Sequence, residues 1–537
     1  MENLRTLWDN AAHNYHDLPA VRWLEKKEIK EATYGDLNKK VENIRAGLAA
    51  GGFNGAHIAL IGESSLSWIA SYLGIVTGNN VAVPLDALLP AEDLIELLVR
   101  AEVQVLFVSP KLMAIAEPAI KSCKTLKQVW ILQDSYENCG LTGEIGSLRE
   151  LENLGQVKID GISTKVGDSK QDRMTVDSSL VSEDDLATII FTSGTTGKSK
   201  GVMLTHKNLY ENVENVNYVV DPGCVMMSVL PIHHAYCLVM DWLKGFSLGA
   251  IVCINDSFMH MVRNMHIFKP TVILMVPLMI ESIYKRLAAS AEEYASADEN
   301  TLKMVRANVY ENIFGGNLKI IFTGGAHLDP FYIEEFAKFG IDILEGYGMS
   351  ECSPVITTNT PDCHRPGSIG KPLANVEIKF ENGEILIRGT SVMQGYYHMP
   401  EETESAFTDG WLHTGDKGYL DEDGYLYING RVKNLIIMSN GENISPEEIE
   451  NKLSLNPLIA EVIITGNGTG LTANIYPDQD IIDKRSLSPE TIQQSLQDFI
   501  DAYNLAQPSY RHITNLVIRT QPFIRNTTGK IKRTEIA

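Results

Sequence analysis

An α/β fold with a small α+β domain behind it follows from three features of the 537-residue sequence. Apolar, β-branched runs end in glycine and lead into helical spacing, one segment alternates about an Asn-Gly pair, and a helix start near residue 445 sets off a stretch of short strands. The runs are "HIALIG" at 57–62, "ATIIFTSG" at 187–194, "LKIIFTGG" at 318–325 and "IDILEGYG" at 341–348. Strands rich in Val and Ile, alternating with helices, predict sheets covered by helices. "DPFYIEEFAKF" at 329–339 spaces its apolar residues for one helical face and lies between two of these strands. "NVEIKFENGEILIRG" at 375–389 alternates around Asn-Gly and predicts an antiparallel hairpin. In "INGRVKNLIIMSNGENISPEEIENKL" at 428–453, Ser445 is placed to cap a helix, Pro446 suits its first position and two glutamates fill its first turn. Beyond it "EVIITG", "TANIYP" and "NLVIRT" read as the strands of a small α+β domain.

A chain this long is expected to hold two or more domains. Its 44% apolar and 21% charged content are ordinary for a soluble enzyme. The net charge of −22 argues against a nucleic-acid partner held through phosphates, although one local loop can still bind a nucleotide. The seven cysteines show no CxxC spacing and read as reduced thiols of a cytoplasmic protein. The amino terminus lacks a basic start followed by an apolar stretch, so no secretory signal is expected. The longest apolar runs, such as "TVILMVPLMI" at 271–280, are about half a membrane span, so no transmembrane segment is expected.

TTGK occurs at 195–198 and again at 527–530. The first copy, within "TSGTTGKSKGV", is not a Walker loop. That motif would need glycine at 192, where Thr192 stands, and only two residues separate Gly194 from Gly197. Its chemistry is still that of a phosphate cradle. The glycines allow tight turns that expose N–H groups, Thr192, Ser193, Thr195 and Thr196 add hydroxyls, and Lys198 and Lys200 add positive charge. A flexible surface turn is the alternative, and the apolar strand feeding the loop argues against it.

"TIIFTSGTTGKSKGVMLTH" resembles the signature of the adenylate-forming superfamily, which comprises acyl-CoA synthetases, peptide-synthetase adenylation domains and firefly luciferase. Ser199 departs from the family's usual proline, and every phosphate-donor position is intact. The resemblance runs in motif order from about residue 33 to the end. It implies a large amino-terminal domain of several sheets, 1–432, and a small mobile α+β domain, 433–537. It also implies that Gly324, Gly325 and Ala326 in "FTGGAHLD", and Glu345, Gly346, Tyr347, Gly348, Met349 and Ser350 in "EGYGMSECSP", bind ATP, with adenine stacked on Tyr347. Glu351 would hold Mg²⁺ on the nucleotide. Outside this motif, Tyr347 would read as a core tyrosine and Glu351 as a solvated acid.

Three further stretches gain roles from the same resemblance. In "DGWLHTGDKGYL", Asp416 would accept hydrogen bonds from the ribose hydroxyls; alone it would be a turn residue. Arg431 would lie near the ribose and Lys433 at the hinge. In "VLPIHHAYCLVMDWLKG", His234 would sit between the acyl and pyrophosphate regions, with Tyr236 and Met240 facing the acyl pocket. Amino-acid-activating relatives carry an aspartate there to pair with an α-amine. His233 and His234 occupy the place instead, and Asp241 lies too far along. An acid without an α-amine is therefore expected.

The second TTGK, within "QPFIRNTTGKIKR", matches the segment that carries the family's catalytic lysine, here Lys530. Carboxylate attack on the α-phosphate builds negative charge, and a positioned cation offsets it. Expected substrates and cofactors are ATP, Mg²⁺, a medium- or long-chain fatty acid and CoA. Loading of a carrier-protein pantetheine arm and activation of an aryl acid stay open as alternatives. A non-catalytic nucleotide sensor would be expected to have lost Lys530 or Glu351, and both are present.

Overall fold

Runs of Val, Ile and Leu bounded by glycine form the parallel centres of two large sheets, because strands buried on both faces need apolar side chains on both. The computed structural model describes residues 2–133, 145–163, 181–192, 198–218, 220–293, 298–439, 442–466, 470–525 and 531–533. Among the described residues, one sheet has eight strands. Its parallel part includes Val81–Leu85, His57–Ile61, Val105–Val108 and Gln128–Ile131. The other sheet has nine strands, with Ile251–Ile254, Val225–Ser228, Val272–Met275, Ile320–Thr323 and Asp342–Gly348 parallel at its centre. The helix Leu66–Val76 is buried along most of its length, with Trp68 and Tyr72 fully buried.

Two of the four glycine-ended runs do not lead directly into helices. Leu186–Thr192 turns back into the antiparallel strand Lys200–Thr205, and only then does the helix His206–Asn215 begin. Asp342–Gly348 passes through a short turn at Ser350–Cys352 into the antiparallel strand Val355–Thr358. In both cases the next described strand runs antiparallel, so a second strand pairs where a crossover helix was expected. The run at 318–325 behaves as predicted, with Ile320–Thr323 leading to the helix Pro330–Ala337.

By compactness the chain divides into two units: Met1–Ala326, Phe331–Glu377 and Arg388–Leu412 form the first, and His327–Pro330, Ile378–Ile387 and His413–Ala537 form the second. In the second unit the Asn-Gly turn takes the conformation expected of a two-residue hairpin, with φ of 50° at Asn382 and 80° at Gly383. The helix Pro446–Leu453 starts where predicted, but the cap differs. The Ser445 hydroxyl donates to Glu447 Oε2 at 3.0 Å and makes no bond to the helix backbone. The hydroxyl is turned toward that carboxylate, and its oxygen accepts from no helix N–H, so the first turn has no side-chain cap from Ser445. Beyond it, Ile459–Gly466, Leu471–Pro477 and Ile513–Ile518 form a three-stranded sheet whose core includes Ile464, Leu471, Ile475, Leu496 and Ile500.

Among the described residues no helix is long and apolar enough to cross a membrane. The six described cysteines are all free, and four of them are buried.

Candidate active site

In the first unit, the strand ends Ile320–Thr323 and Asp342–Gly348 lie side by side, with Thr323 opposite Glu345. The next residues, Gly324 and Gly346, approach closely: a Cβ on Gly324 would stand 3.0 Å from the Gly346 carbonyl and 3.9 Å from Tyr236 Cζ. The absence of side chains thus leaves backbone edges bare beside the Tyr236 ring. Gly325 has φ of 82°, and Ala326 follows it at the surface. Glu345 is buried, and its Oε2 accepts from the Gly367 N–H at 3.2 Å. Asn359 fixes the same strand by donating its backbone N–H to the Glu345 carbonyl at 2.9 Å and its side chain at 3.0 Å. Tyr347 pairs with Thr357 across the ladder and is half-buried.

Gly348 is where the chain must close on itself, since a Cβ there would stand 1.9 Å from the Pro354 carbonyl. The Met349 N–H donates to that carbonyl at 2.9 Å. The resulting turn, Ser350–Cys352, carries Glu351 and is stapled from behind by Asn212, whose amide donates to the Cys352 and Val355 carbonyls at 3.1 and 2.7 Å. Glu351 is buried at 9% exposure, and its Oε1 accepts from the Tyr396 hydroxyl at 2.9 Å. The Met393 N–H donates to the Glu351 carbonyl at 2.8 Å.

Tyr396 connects Glu351 to the first TTGK. The short strand Gly395–Tyr396 pairs with Lys200–Thr205, placing Tyr396 opposite Val202. The Lys200 ammonium then lies 4.6 Å from the centroid of the Tyr396 ring, a cation–π contact. Burial, then the Glu351 charge and its hydrogen bond, hold the Tyr396 phenol above its ordinary pKa, so it remains a donor. Thr192 and Lys200 are direct ladder partners and form the base of the loop. Lys198 is exposed. Ser193, Gly194, Thr195, Thr196 and Gly197 lie outside the described residues.

The stretch after Val225–Ser228 brings His233 and His234 together with ring centroids 4.2 Å apart. Burial, with the neighbouring His234 second, pushes the His233 imidazole well below its usual range, so it is neutral. Tyr236 opens a wide helix, Tyr236–Leu243, in which Met240 and Asp241 are buried. Burial also raises the Tyr236 phenol, with Asp241 and Tyr218 adding to the effect.

Asp416, Arg431 and Lys433 belong to the second unit. Asp416 and Arg431 are ladder partners, and Arg431 Nε lies 2.9 Å from Asp416 Oδ1. The carboxylate is buried at 6% exposure. Lys433 sits in the exposed turn Val432–Asn434. Lys530 lies outside the described residues.

Sequence reasoning missed Tyr396, Asn212 and Asn359. Each acts through a partner between 14 and 143 residues away in the chain, and no local pattern marks that pairing.

A glycine-edged crevice at parallel strand ends, a basic loop base and a buried carboxylate joined to that base through Tyr396 define the class: an adenylate-forming enzyme, built of a large multi-sheet α/β region and a smaller carboxy-terminal α+β domain. The AMP-binding enzyme model matches residues 8–397, and the AMP-binding enzyme C-terminal domain matches 433–537. The chain belongs to the AMP-binding enzyme family. It is 28% identical over 403 residues to the long-chain-fatty-acid–CoA ligase FadD15 of Mycobacterium bovis, covering 66% of this chain and 67% of that one. It is 26% identical over 572 residues to the probable acyl-activating enzyme 16 of Arabidopsis thaliana, a chloroplastic protein, covering 90% of this chain and 78% of that one. The crystal structure of the anthranilate CoA ligase AuaEII with anthranoyl-AMP superposes with a TM-score of 0.79 at 19% identity, over 99% of this chain and 96% of that one.

Proposed function

We propose that this protein is an AMP-forming acid–thiol ligase that activates a medium- or long-chain fatty acid and passes the acyl group to CoA. The observation that carries the reading is the chain of contacts from Glu351 through Tyr396 to Lys200 beside the bare backbone edges of Gly324 and Gly346. Relatives named as long-chain-fatty-acid–CoA ligases support the substrate and the thiol. Two histidines stand where an α-amine would need a carboxylate, and this supports an acid without one.

In the first step a carboxylate oxygen of the fatty acid attacks the α-phosphorus of ATP and pyrophosphate leaves. In the second, the thiolate of CoA attacks the carbonyl carbon of the mixed anhydride and AMP leaves. The loop based on Thr192 and Lys200 holds phosphates, Tyr347 stacks on adenine, Asp416 takes the ribose hydroxyls with Arg431 beside it, and Tyr236 and Met240 line the acyl path. A buried carboxylate suits Mg²⁺, which takes one or two carboxylates plus phosphate oxygens, so Glu351 would hold it. The bound ion would supply neutralising charge for the triphosphate. Among the described residues no cluster of three or more His, Cys, Asp or Glu side chains could form an all-protein cage.

The bodies 1–432 and 433–537 would turn about Lys433 between the steps, bringing Lys530 to the α-phosphate and then withdrawing it to admit the pantetheine arm, a gating role. We place the protein in the cytoplasm, in keeping with its free thiols. A carrier-protein acceptor is the second reading, favoured by the likeness to a long-chain-fatty-acid–[acyl-carrier-protein] ligase over 92% of this chain.

The test is pyrophosphate release from MgATP with a panel of acids, with and without CoA or a pantetheinylated carrier. Lys530→Ala is expected to lower the first step on the order of a hundredfold or more. Unchanged turnover in that variant would sink the assignment of Lys530.

A further inference from the structure

Arg100 is the last residue of the helix Ala91–Arg100, 95 residues before the first TTGK and outside every motif quoted above. Its guanidinium reaches both stems of that loop. Nη2 donates to the Ser199 carbonyl at 2.7 Å, and Cζ lies 5.6 Å from the centroid of Phe191, on the strand leading into the loop. Glu96, one helical turn earlier, steers the guanidinium through Nη1 at 3.5 Å. Two residues further on, Glu102 accepts from the Tyr397 hydroxyl at 2.8 Å, so the same helix end also holds the neighbour of Tyr396.

Ser199 is the position at which this chain departs from the family's proline. Proline would fix φ near −65° without any partner, whereas serine leaves that torsion to be held by its surroundings. A charged donor on the carbonyl of residue 199 holds from outside the peptide that this torsion turns, the one joining Ser199 to Lys200. It does so next to Lys200, whose ammonium rests on Tyr396. We propose that Arg100 is a positioning residue for nucleotide binding, replacing through its contacts with Ser199 and Phe191 the rigidity that proline supplies in relatives. The inference rests on the reading of residues 192–200 as the phosphate-binding loop.

Three variants test it: Arg100→Ala, Ser199→Pro, and the two combined. Arg100→Ala is expected to raise KM for MgATP about tenfold, the scale of one hydrogen bond from a charged donor. KM for the fatty acid should change less than about twofold, since the contact is remote from the acyl path. Deuterium uptake should rise in the peptide spanning 186–205 while the strands at 57–61 and 105–108 keep their protection. Ser199→Pro in the Arg100→Ala background should restore most of the MgATP affinity. Equal changes in both KM values, or no recovery with proline, would overturn the proposal. If the parent releases no pyrophosphate with any acid, the proposed function fails. Binding of MgATP by calorimetry and the deuterium pattern then still decide whether Arg100 holds the loop.

Discussion

The Tyr396 hydroxyl donates to Glu351 Oε1 at 2.9 Å, and both side chains are buried. The bond joins the strand Gly395–Tyr396 of the eight-stranded sheet to the turn Ser350–Cys352 that follows Asp342–Gly348 of the nine-stranded one. It therefore ties the sheets together at Tyr396, whose ring also carries the Lys200 ammonium. A hydrogen bond to an ionised group contributes about 1.5–3 kcal/mol, more than an exposed ion pair would.

Tyr396→Phe keeps the ring under Lys200 and removes only this donor. A loss of about tenfold to a hundredfold in kcat/KM for pyrophosphate release is expected from that energy. If Glu351 holds the metal, the Mg²⁺ concentration needed for half-maximal rate should also shift upward. A reduced rate with an unchanged Mg²⁺ dependence would count against Glu351 as the ligand.

Gly346 and Gly348 should respond differently to alanine although they share a motif. A Cβ on Gly348 meets the Pro354 carbonyl at 1.9 Å, so the turn carrying Glu351 must move. Loss of about 3 kcal/mol or more is expected, read as a lower unfolding midpoint. A Cβ on Gly346 meets the Thr357 carbonyl at 3.3 Å and the Thr358 hydroxyl at 3.5 Å, contacts that small shifts relieve. Gly346→Ala should fold with nearly the parent midpoint while KM for ATP rises, because the new methyl covers the backbone edge beside Tyr347. Equal destabilisation of the two variants would contradict this division.

What the sequence made legible is local. The strand runs, the Asn-Gly hairpin and the helix start at Pro446 each follow from a few adjacent residues, and the structure has them. The motif residues Gly324, Gly346 and Glu351 could be placed because their neighbours in the chain identify them. Tyr396, Asn212 and Arg100 could not. Their partners lie 45, 140 and 99 residues away, and a single sequence carries no mark of such pairings. The Ser445 cap differs for a smaller reason: residue type marks a capping position, but the rotamer that turns the hydroxyl to Glu447 leaves its oxygen without a backbone N–H. The strand returns after Thr192 and Gly348 escaped notice because a glycine-rich stretch permits reversal as readily as a crossover.

Asp241 gives a prediction with a definite sign in pH. It lies on the wide helix beside Met240 at 1% exposure, and its Oδ1 has no hydrogen-bond partner among the described residues. Burial pushes its carboxyl from 3.8 up to about 7, against hydrogen bonds from Ser228 and Cys237 that favour the ionised form. Between those two values the unfolded chain has released a proton that the folded chain keeps. Stability is therefore fully present below about 4 and falls as pH rises to about 7. At about 1.4 kcal/mol per unit the loss reaches a few kcal/mol. Asp241→Asn removes the titration and keeps the shape. The variant should match the parent near pH 4 and exceed it at pH 8, with the gap opening across the interval between. All six tryptophans belong to the first unit, so the urea midpoint of tryptophan fluorescence reports the region that holds Asp241. A gap between the two proteins that stays constant from pH 4 to pH 8 would show that Asp241 keeps the same charge throughout, and the assignment of a neutral buried acid would be lost.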